Sequence, residues 1–103
     1  MSEVTTGELA DALEQGAVVI DCREPDEWAA AHIEGTRLLP VSEFQRRWRE
    51  IPRNAGTVYI VCASGARSGR VAEALRKAGV QAVNVTGGLK SWAEEGRPLE
   101  AGT

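Results

Sequence analysis

Hydrophobic positions follow two rhythms along this chain, one continuous and one spaced. Ala17 to Asp21, Thr57 to Val61 and Gln81 to Val85 are short, nearly unbroken apolar runs, the pattern of strands buried on both faces of a parallel sheet. Between them the apolar residues spread to helical intervals. Thr5 with Glu8 makes a capping-box pair, Leu9 and Leu13 share one helical face, and Gly16 stops that helix. Pro25 suits the first turn of a helix over Pro25 to Ala31, where Asp26 and Glu27 complement the N-terminal dipole. Ser42 with Gln45 repeats the capping pattern before a third helix that ends near Ile51 and Pro52. Val71, Leu75 and Ala78 line one face of a helix over Gly69 to Ala78, with Arg76 and Lys77 in its last turn and Gly79 closing it. Gly87 and Gly88 form a turn before a last helix over Leu89 to Glu95.

Strands alternating with helices predict an open α/β domain with a parallel sheet. In such sheets the ligand crevice lies outside the carboxyl ends of the strands. Asp21, Cys22, Arg23, Cys62 and Thr86 all fall there. With 103 residues, 43% of them hydrophobic, the chain suits one core and has no room for a second domain. Its start lacks a basic segment followed by an apolar one, and no apolar run approaches the roughly 20 residues that cross a bilayer. A soluble, cytoplasmic protein is expected, without a membrane partner. Cys22 and Cys62 are too few for a secreted disulfide framework, and a lone His32 makes a zinc site unexpected. The net charge of -3 argues against general nucleic-acid binding. Arg46, Arg47, Arg49 and Arg53 read as a solvated helix face and following turn, with a docking patch for an acidic partner as the alternative. The tail from Leu99 to Thr103 is expected to fray.

Candidate chemistry concentrates at Cys62, which ends one strand and is followed by Ala63, Ser64, Gly65, Ala66, Arg67 and Ser68 before a helix. A turn of small residues lets successive N–H groups form an anion cradle. The next helix adds unpaired N–H groups and a partial positive charge of about half a unit. Arg67 adds forked donors suited to sulfur or phosphorus oxyanions. Lowering a thiol pKa of about 8.5 by roughly two units takes about 2.7 kcal/mol. One or two charge-assisted hydrogen bonds of about 1.5–3 kcal/mol supply that, provided they outweigh desolvation.

Four segments resemble the rhodanese-like family of sulfurtransferases, specifically its single-domain members. Asp21 to Pro25 with Trp28 are similar to its DVREP motif, His32 to Gly35 to its HIPGA motif, Cys62 to Ser68 to its CxxGxRS loop, and Gly87, Gly88, Leu89 and Trp92 to its GGxxxW segment. Cys22 stands where the family commonly has Val, and Glu34 where it has Pro. The resemblance implies a single open parallel-sheet rhodanese-like domain over residues 1–103, with about five short strands and helices on both faces. It implies thiosulfate sulfurtransferase activity: Cys62 takes the sulfane sulfur of a small anionic donor as a persulfide and passes it to a thiol, cyanide or a sulfur-relay protein. Ala63 to Ser68 would bind the substrate. Neither metal nor organic cofactor is required.

The resemblance also assigns Asp21 and Arg23 to ion pairing and turn hydrogen bonds around the loop, and His32 reads as a turn-stabilising donor. Trp28, Trp48 and Trp92 read as packing residues. Cys22 shares a strand face with Val18 and Ile20, which fits apolar packing, while a second thiol able to resolve a persulfide into a disulfide is the sharper alternative. Two competing functions remain at this level. A non-enzymatic rhodanese-like binding module commonly lacks the loop cysteine, which this chain keeps. A phosphatase or arsenate reductase places Arg six positions after Cys, whereas Arg67 lies five after Cys62, leaving a loop one residue shorter.

Overall fold

The structure, a computed structural model, describes residues 2–102. Its elements run β1 (Glu3–Val4), α1 (Thr6–Glu14), β2 (Val18–Asp21), α2 (Pro25–Ala30), β3 (Arg37–Leu38), α3 (Phe44–Arg47), β4 (Val58–Val61), α4 (Ala66–Lys77), β5 (Ala82–Val85) and α5 (Gly88–Glu94). The five strands form one sheet in the order β1-β5-β4-β2-β3, and every pairing is parallel. No helix among the described residues is long and apolar enough to cross a membrane.

Alternation along the central strands sends side chains to two separate cores. Ile20, Val58, Ile60 and Ala82 meet Val71, Ala72 and Leu75 of α4, with Phe44 and Trp48 packed beside them. Val19, Val61, Val83 and Val85 face the other way, toward Leu9 of α1 and Leu89 and Trp92 of α5. Helices therefore cover both faces, as a parallel sheet requires.

The capping box of α1 is present: Thr5 Oγ1 accepts from the Glu8 N–H at 3.0 Å, and Glu8 Oε1 accepts from the Thr5 N–H at 2.9 Å. Ser42 and Gln45 form no such box. The segment is instead a 3-10 turn at Val41–Glu43, a short α3, and a second 3-10 turn at Trp48–Glu50. The Ser42 hydroxyl donates 2.7 Å to Glu24 Oε1, so it is taken by the neighbouring acid rather than by its own helix. The basic stretch is largely paired. Arg46 and Arg47 meet Glu43, Arg47 also meets Glu50, and the Arg49 guanidinium lies over the Trp48 ring at 4.9 Å.

The C-terminal tail is docked rather than frayed as far as the described residues reach. His32 and Glu100 exchange backbone bonds of 2.8 and 2.9 Å, and the Gly102 N–H donates to Ala29 O at 2.8 Å. The Trp92 indole N–H donates to Pro98 O at 2.8 Å. Thr103 lies outside the described residues.

Candidate active site

Cys62 is the first residue past β4, at the carboxyl edge of the sheet. Three residues later Gly65 takes φ +102°, a left-handed conformation open to glycine, and the chain turns directly into α4. The helix thus begins at Ala66 rather than Gly69, because the glycine completes the reversal and leaves Ala66, Arg67 and Ser68 as the first turn. That early start aims helix-end N–H groups back at the sulfur. Cys62 Sγ accepts from the Gly65 N–H at 3.1 Å, the Ser68 N–H at 3.3 Å and the Ser68 hydroxyl at 3.2 Å. Ala66 and Arg67, as the first two helical residues, have N–H groups without intrahelical acceptors.

The loop is held from behind by α5. Leu89 N–H donates to Cys62 O and Lys90 N–H to Ala63 O, each at 2.9 Å. A trans peptide points its N–H opposite to its C=O, so fixing these carbonyls on α5 turns the Ala63 and Ser64 N–H groups away from that helix. Gly88 permits the approach. A Cβ there would overlap the Cys62 carbonyl oxygen and lie 2.7 Å from that of Ala63, at φ +54°.

Asn84 supports the other side. Its Nδ2 donates to Gly65 O at 3.1 Å and to Glu3 Oε1 at 3.0 Å, which leaves Oδ1 facing the Ser68 hydroxyl at 2.5 Å. Ser68 has one hydroxyl proton for two acceptors, Asn84 Oδ1 and Cys62 Sγ, so a charged sulfur competes with the amide for it.

The Cys62 thiol titrates below its ordinary value. The largest contribution comes from the neighbouring Cys22 thiol, whose S–H favours an adjacent sulfur anion; burial opposes it, and the Ser68 hydroxyl and the Ser68 and Gly65 N–H groups add to the lowering. Cys22 is pushed the opposite way, by the same sulfur contact and by burial. Both thiols are free.

The other residues singled out in the sequence take separate places around the loop. Ser64 and Ala66 are exposed at the rim, and among the described residues no bond joins the Ser64 hydroxyl to the sulfur. Arg67 is turned to α2, where Nη1 and Nη2 donate to the two Glu27 oxygens at 2.7 and 2.9 Å. Asp21 and Arg23 form a buried pair beneath the site, with Arg23 Nε and Nη2 3.0–3.1 Å from the carboxylate and Nη2 2.6 Å from Ala31 O. His32 Nδ1 donates to Trp28 O at 2.9 Å while its ring stacks on Trp28 at 3.8 Å. Thr86 bonds Glu3 rather than the loop. Sequence reasoning did not find Asn84, Glu27 or the gripping role of Gly88. Asn84 had a signal, since a polar residue inside an otherwise apolar buried strand needs partners.

An open parallel sheet that presents a cysteine sulfur to loop N–H groups beyond its strand ends defines a thiol-centred α/β domain. The family model of the rhodanese-like domain matches residues 5–95, and the chain belongs to that family. It is 44% identical over 77 residues to the Bacillus subtilis protein YqhL, covering 74% of this chain and 60% of that one. It is 35% identical over 101 residues to a protein of Allochromatium vinosum named sulfurtransferase, covering 97% and 92% of the two chains. The structure of a rhodanese-like domain protein from Staphylococcus aureus superposes over the full length of both chains with a TM-score of 0.86 at 35% identity. The chain spans less than two thirds of several of the relatives it matches.

Proposed function

We propose that the protein transfers sulfane sulfur from thiosulfate or a related anionic donor to a thiophilic acceptor through a persulfide on Cys62. The observation that carries this reading is the set of donors from Gly65 and Ser68 converging on the Cys62 sulfur itself. The thiolate attacks the outer sulfur of thiosulfate, an S–S bond forms on Cys62, the donor S–S bond breaks, and sulfite leaves with the electron pair. Negative charge passes to the terminal sulfur of the persulfide. The loop N–H groups from Ala63 to Ser68 would stabilise it. An acceptor thiolate or cyanide then takes the terminal sulfur and returns Cys62 to thiolate.

Cys62 is 1% exposed, so a donor must present a small terminal atom. This supports a sulfane sulfur over a phosphoryl group, as does the loop being one residue shorter than a phosphatase loop. The name of the Allochromatium vinosum relative supports sulfur transfer as the class of reaction. A shallow groove of about 230 Å³ runs beside Arg67, lined also by Val41, Phe44 and Arg70. A reducing cytoplasm, rich in thiols, is the setting we assign.

Intact-mass measurement after thiosulfate exposure tests the reading. The expected product is wild-type protein carrying one extra sulfur that cyanide removes, with no such product from Cys62→Ser. Persulfidation that survives the Cys62→Ser change would end it.

A further inference from the structure

Sheet register sets a second thiol against the site. β2 and β4 are parallel with Asp21 opposite Val61, and one step further along lie Cys22 and Cys62. The Cys22 N–H donates to Val61 O at 3.0 Å, so the ladder extends to this pair. Both side chains leave on the same face and enter the same apolar cluster, Cys22 0% and Cys62 1% exposed. Neighbouring strands run about 4.8 Å apart, within the roughly 4.4–6.8 Å between Cα atoms that a disulfide spans. Sulfur transfer through Cys62 needs no second thiol, and an apolar residue of similar size would fill the Cys22 position.

We propose that Cys22 is a resolving thiol that discharges the Cys62 persulfide when no acceptor arrives, releasing hydrosulfide and leaving a Cys22–Cys62 disulfide. This rests on the persulfide reading above. Cys22 Sγ attacks Cys62 Sγ, the bond between Cys62 Sγ and the terminal sulfur breaks, and the new S–S bond forms within the core. The Cys22 proton leaves on the expelled sulfur, giving HS⁻. The sulfane sulfur is reduced by two electrons while the two cysteine sulfurs are oxidised to the disulfide level, so discharge needs no outside oxidant. A dithiol reductant then restores both thiols by exchange.

The charge distribution makes the step conditional. Beside a Cys62 thiolate, Cys22 is held protonated by its hydrogen bond to that sulfur, by burial and by the repulsion between two adjacent sulfur anions. In the persulfide the negative charge sits one atom further out, on the terminal sulfur among the loop N–H groups, and the repulsion on Cys22 weakens. Only a loaded Cys62 carries a sulfur–sulfur bond to break, so Cys22 has nothing to attack until the persulfide forms.

The test uses the full chain loaded with thiosulfate, freed of donor, and held without acceptor. Intact mass and colorimetric sulfide are read over time for wild type, Cys22→Val and Cys22→Ser. Wild type is expected to lose the added sulfur and two hydrogens while releasing sulfide stoichiometrically, and both variants to keep the sulfur at least about tenfold longer. Wild-type protein that keeps its sulfur as long as the variants, or releases sulfide while both cysteines remain alkylatable, overturns the proposal. Failure to load from thiosulfate would instead count against the sulfurtransfer reading, and the sample is then loaded with inorganic polysulfide. If polysulfide-treated wild type forms no Cys22–Cys62 bond, the proposal is overturned on its own account.

Discussion

Glu27 grips Arg67 with both carboxylate oxygens, at 2.7 Å to Nη1 and 2.9 Å to Nη2. The single cation of the site loop is thus bound to an acid from α2, which sits 40 residues earlier in the chain. The pairing holds the Glu27 carboxyl down at about 2, the Arg67 contact being its largest cause. An anionic donor approaching Cys62 must compete with this carboxylate for the guanidinium.

Two substitutions with opposite effects follow from that competition. Glu27→Gln keeps a side-chain oxygen able to accept from the Glu24 N–H but removes the countercharge of Arg67, and is expected to lower KM for thiosulfate about two- to fivefold. Arg67→Ala should raise it about three- to tenfold. Steady-state kinetics with thiosulfate and cyanide read both, and an unchanged KM in each variant would remove Arg67 from donor binding. The pair also leaves an acid signature. A depressed carboxylate pKa contributes stability above its unfolded value of 4.5, and that contribution disappears as pH falls toward 2. Because both side chains are about one-third exposed, the difference between wild type and Arg67→Ala at neutral pH is expected within about 1 kcal/mol.

Cys62 should ionise below an ordinary thiol, and Cys22 is the neighbour contributing most to that lowering. Thiolate absorbance and alkylation rate measured against pH are expected to stay flat from pH 9 well into the acid range. Cys22→Val removes the S–H and leaves burial in place, so its midpoint should move up. The two proteins would react alike at alkaline pH and diverge as pH falls. Coincident titration curves would show that the loop N–H groups alone set the thiolate.

Gly88 offers a clean contrast with Gly79. Both have positive φ, +54° and +94°, yet a Cβ at Gly79 meets nothing within 4 Å while one at Gly88 strikes the carbonyls of Cys62 and Ala63. Gly79→Ala should lose only the conformational cost, about 1 kcal/mol. Gly88→Ala carries that cost plus displacement of the loop from the Leu89 and Lys90 N–H groups, and a loss of at least about 2–3 kcal/mol is expected by denaturant unfolding. Its remaining folded fraction should also show a raised Cys62 pKa. Equal losses in the two variants would mean that α5 does not hold the loop.

Legibility in the sequence followed the physics of each element. β2, β4 and β5 were visible because burial on both faces demands apolar runs, whereas β1 and β3 are two-residue strands with no run to see. The cysteine loop is legible as a turn of small residues, but its helix begins at Ala66, three residues before the Gly69 that the apolar spacing predicts, because Gly65 in the left-handed region completes the reversal. Contacts between distant segments had no local trace: Glu27 with Arg67, the tail with His32, and α5 with the loop carbonyls. Cys22 lies between these cases. Its strand face could be read from alternation, while its position beside Cys62 required the register of β2 on β4.

Arg23 supplies the last expectation, which separates support of the site from its chemistry. The Asp21 carboxylate is fully buried and receives the Arg23 backbone N–H at 2.9 Å as well as its guanidinium. The same guanidinium ties the end of α2 through Ala31 O. Replacing Arg23 with Met leaves a buried carboxylate without its countercharge, at a cost of about 3–5 kcal/mol. Arg23→Lys keeps a charge but not the fork, so an intermediate loss is expected. Neither side chain touches Cys62, so sulfur uptake normalised to folded protein should hold in Arg23→Lys even as its unfolding midpoint drops. A Lys variant of unchanged stability that nonetheless failed to take up sulfur would place Arg23 in the reaction rather than beneath it.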